Sequence, residues 1–182
     1  MRIIETEFEG LFIIEPVVYQ DSRGYFMESF NSESFRKNGI IFAPVQDNES
    51  RSAKGVIRGL HYQIKPHDQA KLIRVVDGRI LDVALDLRKG SSTFGRWYSI
   101  ELDSESKKSL LIPRGFAHGF SVLSDKAVIQ YKCDRVFNRD AERGISLADP
   151  SLGIYWNIDV SKAVISDKDK NNPLFVNAEM NF

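Results

Sequence analysis

The sequence is poor in soft metal ligands, reactive thiols and one-sided charge. Its 182 residues include one cysteine, Cys133, and three histidines, His61, His67 and His118. A single cysteine excludes an intrachain disulfide and fits a reducing compartment. The histidines are not closely paired, and Pro66 between His61 and His67 suits a loop better than a shared ligand face, so we expect neither a metal nor a cofactor. The 25 basic residues are balanced by 25 acidic ones, which removes the basic surplus of a dedicated nucleic-acid binder but leaves room for a local cationic pocket. No apolar run approaches the ~20 residues of a membrane helix. The opening MRIIETEFEG lacks a basic segment followed by an apolar stretch, and the expectation is a cytoplasmic protein with no membrane partner. Also missing are a P-loop, a G-x-G-x-x-G turn and a G-x-S-x-G elbow, which takes away the usual supports of nucleotide-hydride chemistry and serine hydrolysis. What remains is His, Tyr, Lys, Arg and carboxylates, an inventory suited to proton transfer.

With 42% hydrophobic residues and no repeat, low-complexity tract or linker, the chain reads as one packed domain over residues 1–182. Short runs rich in Val, Ile, Phe and Tyr alternate with twelve glycines, the pattern of strands separated by turns. Leu81, Val83, Leu85 and Leu87 alternate with Asp82, Ala84, Asp86 and Arg88, which predicts a strand with one buried face. Asp77-Gly78 between KLIRVV and RILDVALDL predicts a tight hairpin. Alternation recurs at Tyr98–Asp103, Phe116–Leu123 and Ala127–Cys133, so we expect an all-β sandwich or barrel. Helix signals are few: Asn31 or Ser32 caps a short helix through Phe35 and Lys37 that Gly39 closes, and Ser161–Lys170 holds another turn or two.

Several residues admit both a chemical and a structural reading. Strict alternation puts Arg58 and His61 on opposite faces, but Gly59 between them marks a bulge that brings both to one pocket. Otherwise Arg58 is a solvent-facing edge residue and His61 a satisfied core histidine, which the hexapeptide RGLHYQ by itself favours. Lys71 opens an apolar strand, where a lysine is usually a solvated edge charge. His118 sits between glycines, either open to a ligand or half-buried beside a plain turn. Tyr131 shares its strand face with Ala127, Ile129 and Cys133, so its ring points inward as a core residue or as an acid. Asp169 in Ser166-Asp167-Lys168-Asp169 has the spacing of a helix cap.

Taken together, DSRGYFMESF, VQDNESRSAKGVIRGLHYQ, QAKLIRVVDGRILDVALDLRKGSSTFGRW, IPRGFAHGFSVLS, QYKC and ISDKD resemble the dTDP-4-dehydrorhamnose 3,5-epimerase family, from about Ile3 to Phe182. The resemblance implies a metal-free cupin-type jelly-roll β-sandwich with a few short peripheral helices, assembled as a homodimer. It implies inversion of C3 and C5 of dTDP-4-dehydro-6-deoxy-D-glucose to dTDP-4-dehydro-L-rhamnose, on the route to dTDP-L-rhamnose. It makes His61 the base, Asp169 its partner, Lys71 the cation beside the C4 oxygen and Tyr131 the acid that reprotonates C5 from the opposite face. Arg23 and Arg58 fall at the diphosphate with His118 lining the same pocket, while Phe26, Glu28, Gln46 and Asn48 hold the nucleotide, some of them from the partner subunit. Two positions depart from the pattern: Val136-Phe137 replaces an aromatic pair that is often two tyrosines, and Glu49 stands where a histidine is often seen. The first keeps open an epimerase acting at C3 alone on a related nucleotide-linked 4-keto-6-deoxysugar. From other classes come a non-catalytic sugar-binding jelly roll and a metal-dependent cupin.

Overall fold

The alternating segments fold into thirteen strands, seen in a computed structural model that describes residues 1–182. They are β1 (Arg2–Glu5), β2 (Phe12–Glu15), β3 (Val18–Asp21), β4 (Gly24–Met27), β5 (Gln46–Ala53), β6 (Ile57–Gln63), β7 (Lys71–Asp77), β8 (Arg79–Asp86), β9 (Trp97–Asp103), β10 (Ser109–Ile112), β11 (Phe116–Val122), β12 (Lys126–Cys133) and β13 (Glu142–Gly144). One sheet has six strands in the order β1-β2-β10-β7-β12-β5 and the other five in the order β13-β6-β11-β8-β9, while β3 and β4 form a separate hairpin. Every ladder is antiparallel. The all-β expectation holds: this is a jelly-roll sandwich with two short helices at its edges.

Period-2 alternation sends every second residue of each strand between the sheets. Ile73, Val75, Ala127 and Ile129 from the six-stranded sheet meet Ile80, Ala84, Phe120 and Val122 from the other in the inner core. A second cluster lies outside the five-stranded sheet, where Trp156, Ile145 and Leu147 of the C-terminal segment cover Leu60, Leu81, Val83 and Leu85. Phe35, Ile40 and Phe42 cover Ile14, Leu72 and Leu111 on the outside of the six-stranded sheet. Phe35 belongs to α1 (Ser32–Lys37), whose Asn31 cap accepts from the Glu33 and Ser34 amides at 3.0 Å, a bond worth about 1 kcal/mol.

Two local expectations need correction. Asp77-Gly78 does not close a hairpin, because β7 pairs with β10 and β12 while β8 pairs with β9 and β11. The turn carries the chain from one sheet to the other. Its chemistry is as expected, with Gly78 at φ +84° and a Cβ there falling 2.0 Å from the Lys126 carbonyl oxygen, but turn chemistry does not reveal which sheet the next strand joins. Nor is β8 buried on one face only. Its leucines meet the C-terminal segment, and Asp82 and Asp86 are fully buried on the opposite, inward face. Asp86 is satisfied there by Arg88, Ser91 and Thr93.

Beside the inner core, β6 and β11 slip out of register. His61 pairs with His118 and Arg58 with Phe120, so Gly59 and Leu60 together oppose Gly119. That is a bulge, and it resets the parity of β6. Gly59 lies at φ +137°, and a Cβ on it would fall 2.5 Å from the Gly119 Cα, which only glycine tolerates.

Candidate active site

Because of the bulge, Arg58 and His61 share the inward face of β6. Arg58 Nε donates to Ser52 Oγ across the sandwich at 3.0 Å, and His61 lines a cavity of about 260 Å³ between the sheets. The facing sheet contributes Lys71 from β7, Tyr131 and Cys133 from β12, and Gln46 and Asn48 from the inward face of β5. Gln63, two residues beyond His61 and therefore on the same face, completes the wall with Gln69, Phe137 and Glu142.

Asp169 reaches His61 from outside both sheets. Its segment is anchored on either side: Val164 exchanges backbone bonds with Gly55 and Ile57 at 2.9 and 3.1 Å, and the Pro173 carbonyl accepts from Ser146 N–H at 2.8 Å. Between these anchors, α2 (Asp167–Lys170) starts at Ser166, whose hydroxyl oxygen accepts from the Asp169 amide at 3.1 Å. The cap predicted from Ser166-x-x-Asp169 is present, but the carboxylate turns away from it. Asp169 Oδ1 lies 2.6 Å from His61 Nε2, and Oδ2 accepts from the Gly59 amide at 3.4 Å. Burial alone pushes this carboxyl up; the bond and charge of His61, with the Gly59 and Ser166 contacts, outweigh it and hold Asp169 below the usual carboxylate range. An ionised Asp169 accepts the Nε2–H of His61 and leaves Nδ1, which has no partner within the chain, as the ring's lone-pair nitrogen. Glu142 pairs with Lys168 of the same helix at 2.6 Å, tying α2 to β13.

Lys71 makes no ion pair or hydrogen bond. Burial lowers its pKa, while Cys133, Glu142 and Asp82 pull it back up. Burial also raises the Tyr131 phenol, Cys133 and Glu142 add to this and Arg58 opposes it, so the hydroxyl keeps its proton at neutral pH. Burial likewise raises the Cys133 thiol, against the nearby Lys71 charge, and Asn48 Nδ2 donates to its sulfur at 3.8 Å. His118 stands beside His61 on the neighbouring strand, its Nε2 held at 2.9 and 3.1 Å by the fully buried Asp82.

Four of the sequence candidates stay outside this constellation or at its rim. Arg23 is exposed and paired with Asp21 at 2.6 Å, Phe26 is exposed and stacked on Tyr19, and Glu28 accepts from Asn31 Nδ2. The hollow around β3 and β4 shares no residue with the His61 cavity. Arg58 does not line the cavity, and its charge opposes the rise of the Tyr131 pKa. Residues that the sequence reading missed are Asp82, Gln63, Gln69 and Glu142; of these Gln63 was legible, as the next residue on His61's face. A larger hollow of about 560 Å³ outside the six-stranded sheet is lined by Phe12, Ile40, Phe42 and Leu111, and its charged groups, Arg114 and Asp134, neutralise each other at 2.8 Å. No three His, Cys, Asp or Glu side chains converge as a ligand set.

The depressed Asp169 pKa makes a stability prediction. A carboxyl whose folded pKa lies below its unfolded value stabilises the fold above the unfolded value, ~3.9, and loses that contribution as pH falls through the folded one. Asp169→Asn is therefore expected to be less stable than wild type at pH 7, with the gap narrowing in acid below pH ~4. Urea unfolding of both proteins across that window checks it; a gap independent of pH contradicts it.

A model of the family described as dTDP-4-dehydrorhamnose 3,5-epimerase matches residues 5–177. A curated protein of that name from Shigella flexneri is 49% identical, with 98% of each chain covered. The crystal structure of the dTDP-4-dehydrorhamnose 3,5-epimerase of Elizabethkingia anophelis NUHP1 superposes with a TM-score of 0.92 at 46% identity, over 97% of both chains. That of dTDP-6-deoxy-D-glucose-3,5-epimerase from Legionella pneumophila Philadelphia 1, solved in complex with dTDP-4-keto-L-rhamnose, gives 0.90 at 45% identity over 95% of this chain and 92% of the other. Agreement of this extent, in sequence and in the path of the backbone over nearly the whole chain, makes the chain a member of the dTDP-4-dehydrorhamnose 3,5-epimerase family.

Proposed function

We propose that the protein is an isomerase that inverts C3 and C5 of dTDP-4-dehydro-6-deoxy-D-glucose, giving dTDP-4-dehydro-L-rhamnose. One observation carries this reading. The His61 imidazole, bonded to the buried Asp169 carboxylate, comes from one sheet, and the Lys71 amine, free of any ion pair, and the Tyr131 phenol come from the sheet that faces it. A sugar held between the sheets meets a base on one side and an acid on the other.

That is the geometry an inversion needs. C3 and C5 both flank the C4 ketone, so loss of either proton gives an enolate. His61 takes the proton at Nδ1, and Asp169 stabilises the resulting imidazolium. Lys71 suits the C4 oxygen, where a positive charge offsets the charge that grows there; its amine has no hydrogen-bond partner in the chain, and Cys133, Glu142 and Asp82 favour its charged form against burial. Tyr131 returns a proton to the opposite face. Arg58 and Arg23 suit the diphosphate as bidentate donors, His118 on the strand beside Arg58 suits the same group, and Phe26, Glu28, Gln46 and Asn48 suit the nucleotide.

We also propose that the working unit is a homodimer in which the partner's hairpin supplies Arg23, Phe26 and Glu28. An isolated two-stranded hairpin is marginal in water. Here β3 and β4 pair with neither sheet and expose Tyr19, Tyr25 and Phe26, a surface that a second copy would cover.

In deuterated water, His61→Ala is expected to slow deuterium incorporation at both carbons by about a hundredfold or more, while dTDP affinity stays near wild type. Proton NMR of the sugar nucleotide reads this, and retained incorporation would remove His61 from the mechanism. For the dimer, mixing refolded Arg23→Ala and His61→Ala chains is expected to recover activity that neither has alone, since one site of each mixed dimer is intact. No recovery in a sample shown to contain mixed dimers contradicts the shared site.

A further inference from the structure

Three glutamines line the cavity, and each spends part of its carboxamide's hydrogen-bonding capacity on the protein itself. The segment Asp134–Arg139, which comes after β12, makes main-chain bonds only at its ends: the Asp134 amide donates to the Ala70 carbonyl at 3.2 Å, and the Arg139 carbonyl accepts from Glu142 at 3.3 Å. Between them, Gln69 Nε2 donates to the Arg135 carbonyl at 2.6 Å, Gln46 Oε1 accepts from the Phe137 amide at 2.7 Å, and Gln63 Oε1 accepts from the Asn138 amide at 2.6 Å. Gln63 is braced in turn by its Nε2 bond to the His67 carbonyl at 2.6 Å, and Gln46 by Asn48 Oδ1 at 2.9 Å. Backbone groups beside a cavity need partners, and here side chains of the cavity wall supply them.

The segment so held presents Phe137 to the cavity, a ring with no hydrogen-bonding group among neighbours that are mostly amides and charges. The two carbons flanking the ketone of a 4-keto-6-deoxysugar differ in their exocyclic substituent: C3 bears a hydroxyl and C5 a methyl. Amide-lined walls suit the hydroxyl, and only an apolar surface suits the methyl. With one His–Asp pair in the cavity, both carbons must be presented to the same base in turn, so the sugar shifts against this wall between the two proton transfers.

We propose that Gln63 and Gln69, with Gln46, are positioning residues that pin Asp134–Arg139 so that Phe137 holds the C6 methyl and sets the efficiency of proton transfer at C5 relative to C3. This rests on the epimerase reading. A hydroxymethyl group in place of the methyl meets the same ring unfavourably, which makes Phe137 a selector for 6-deoxysugars; differences of one small group in such a contact are worth roughly tenfold.

The test measures deuterium incorporation at C3 and C5 separately, together with amide hydrogen exchange across residues 134–139 by mass spectrometry. Gln63→Leu and Gln69→Leu are expected to speed amide exchange in the segment and to lower C5 incorporation about tenfold more than C3 incorporation. A purely structural role lowers both carbons alike and leaves their ratio unmoved. Phe137 is half-exposed, so its substitution spares the core and keeps the test valid where a glutamine variant folds poorly. Phe137→Leu is expected to keep the wild-type C5:C3 ratio and Phe137→Asn to lower it. Unchanged amide exchange in the glutamine variants, or an unchanged ratio in Phe137→Asn, overturns the proposal. A wild-type protein inert at both carbons overturns the epimerase reading instead, a result distinct from either.

Discussion

The bond between Asp169 and His61 is the constraint on which the rest of the site depends. A carboxylate as buried as Asp169 is costly without compensation, and leaving one partner of such a pair unpaired is costlier still. Its compensation comes from residues more than a hundred positions away in the chain: the imidazole of His61 and the Gly59 amide. Both lie at the bulge where β6 slips against β11. Remove the bulge, and His61 turns to the outer face while Arg58 stays within. The backbone bonds of Val164 and Pro173 that hold the C-terminal segment, and the Glu142–Lys168 pair that holds α2, all serve to bring one carboxylate to one imidazole.

A jelly roll suits this chemistry because its two sheets approach from opposite sides. A helix or a single sheet offers functional groups on one surface, whereas an inversion needs proton donor and acceptor across the substrate. Here His61 belongs to the five-stranded sheet and Lys71 and Tyr131 to the six-stranded one. The same interior that is close-packed hydrocarbon around Ile73 and Ile129 becomes polar two residues farther along the same strands, at Lys71 and Tyr131. No separate framework is built for the site; it is the polar end of the core. The electrostatics reflect that position. Desolvation lowers the pKa of Lys71, raises those of Tyr131 and Cys133, and would raise that of Asp169 were it not paired with His61.

Strand alternation made much of this legible from the amino-acid sequence alone. The strands over Tyr98–Asp103, Phe116–Leu123 and Ala127–Cys133, the capped helix after Asn31, and the bulge at Gly59 are dictated by local pattern, and the structure has them all. What local pattern lacks is the identity of the partner. Asp-Gly at 77–78 dictates a sharp turn but not whether β8 returns to β7's sheet, and the leucines of β8 announce a buried face but not that the C-terminal segment covers it. For the same reason Asp82 reads as a solvent residue until β11 places His118 beside it. The hydrogen bonds of Gln46, Gln63 and Gln69 to one loop connect distant parts of the chain, and nothing in any single stretch of sequence reports them. Family resemblance added roles to His61, Lys71, Tyr131 and Asp169 that their spacing alone did not assign.

The most direct measurement of the central claim is the tautomer of His61 by nitrogen-15 NMR, in wild type and in Asp169→Asn at pH 7. With the carboxylate accepting from Nε2–H, the wild-type ring carries its proton on Nε2 and leaves Nδ1 unprotonated, and the variant loses that preference. A wild-type ring protonated on Nδ1 alone, or one whose tautomer is indifferent to Asp169, would contradict the account.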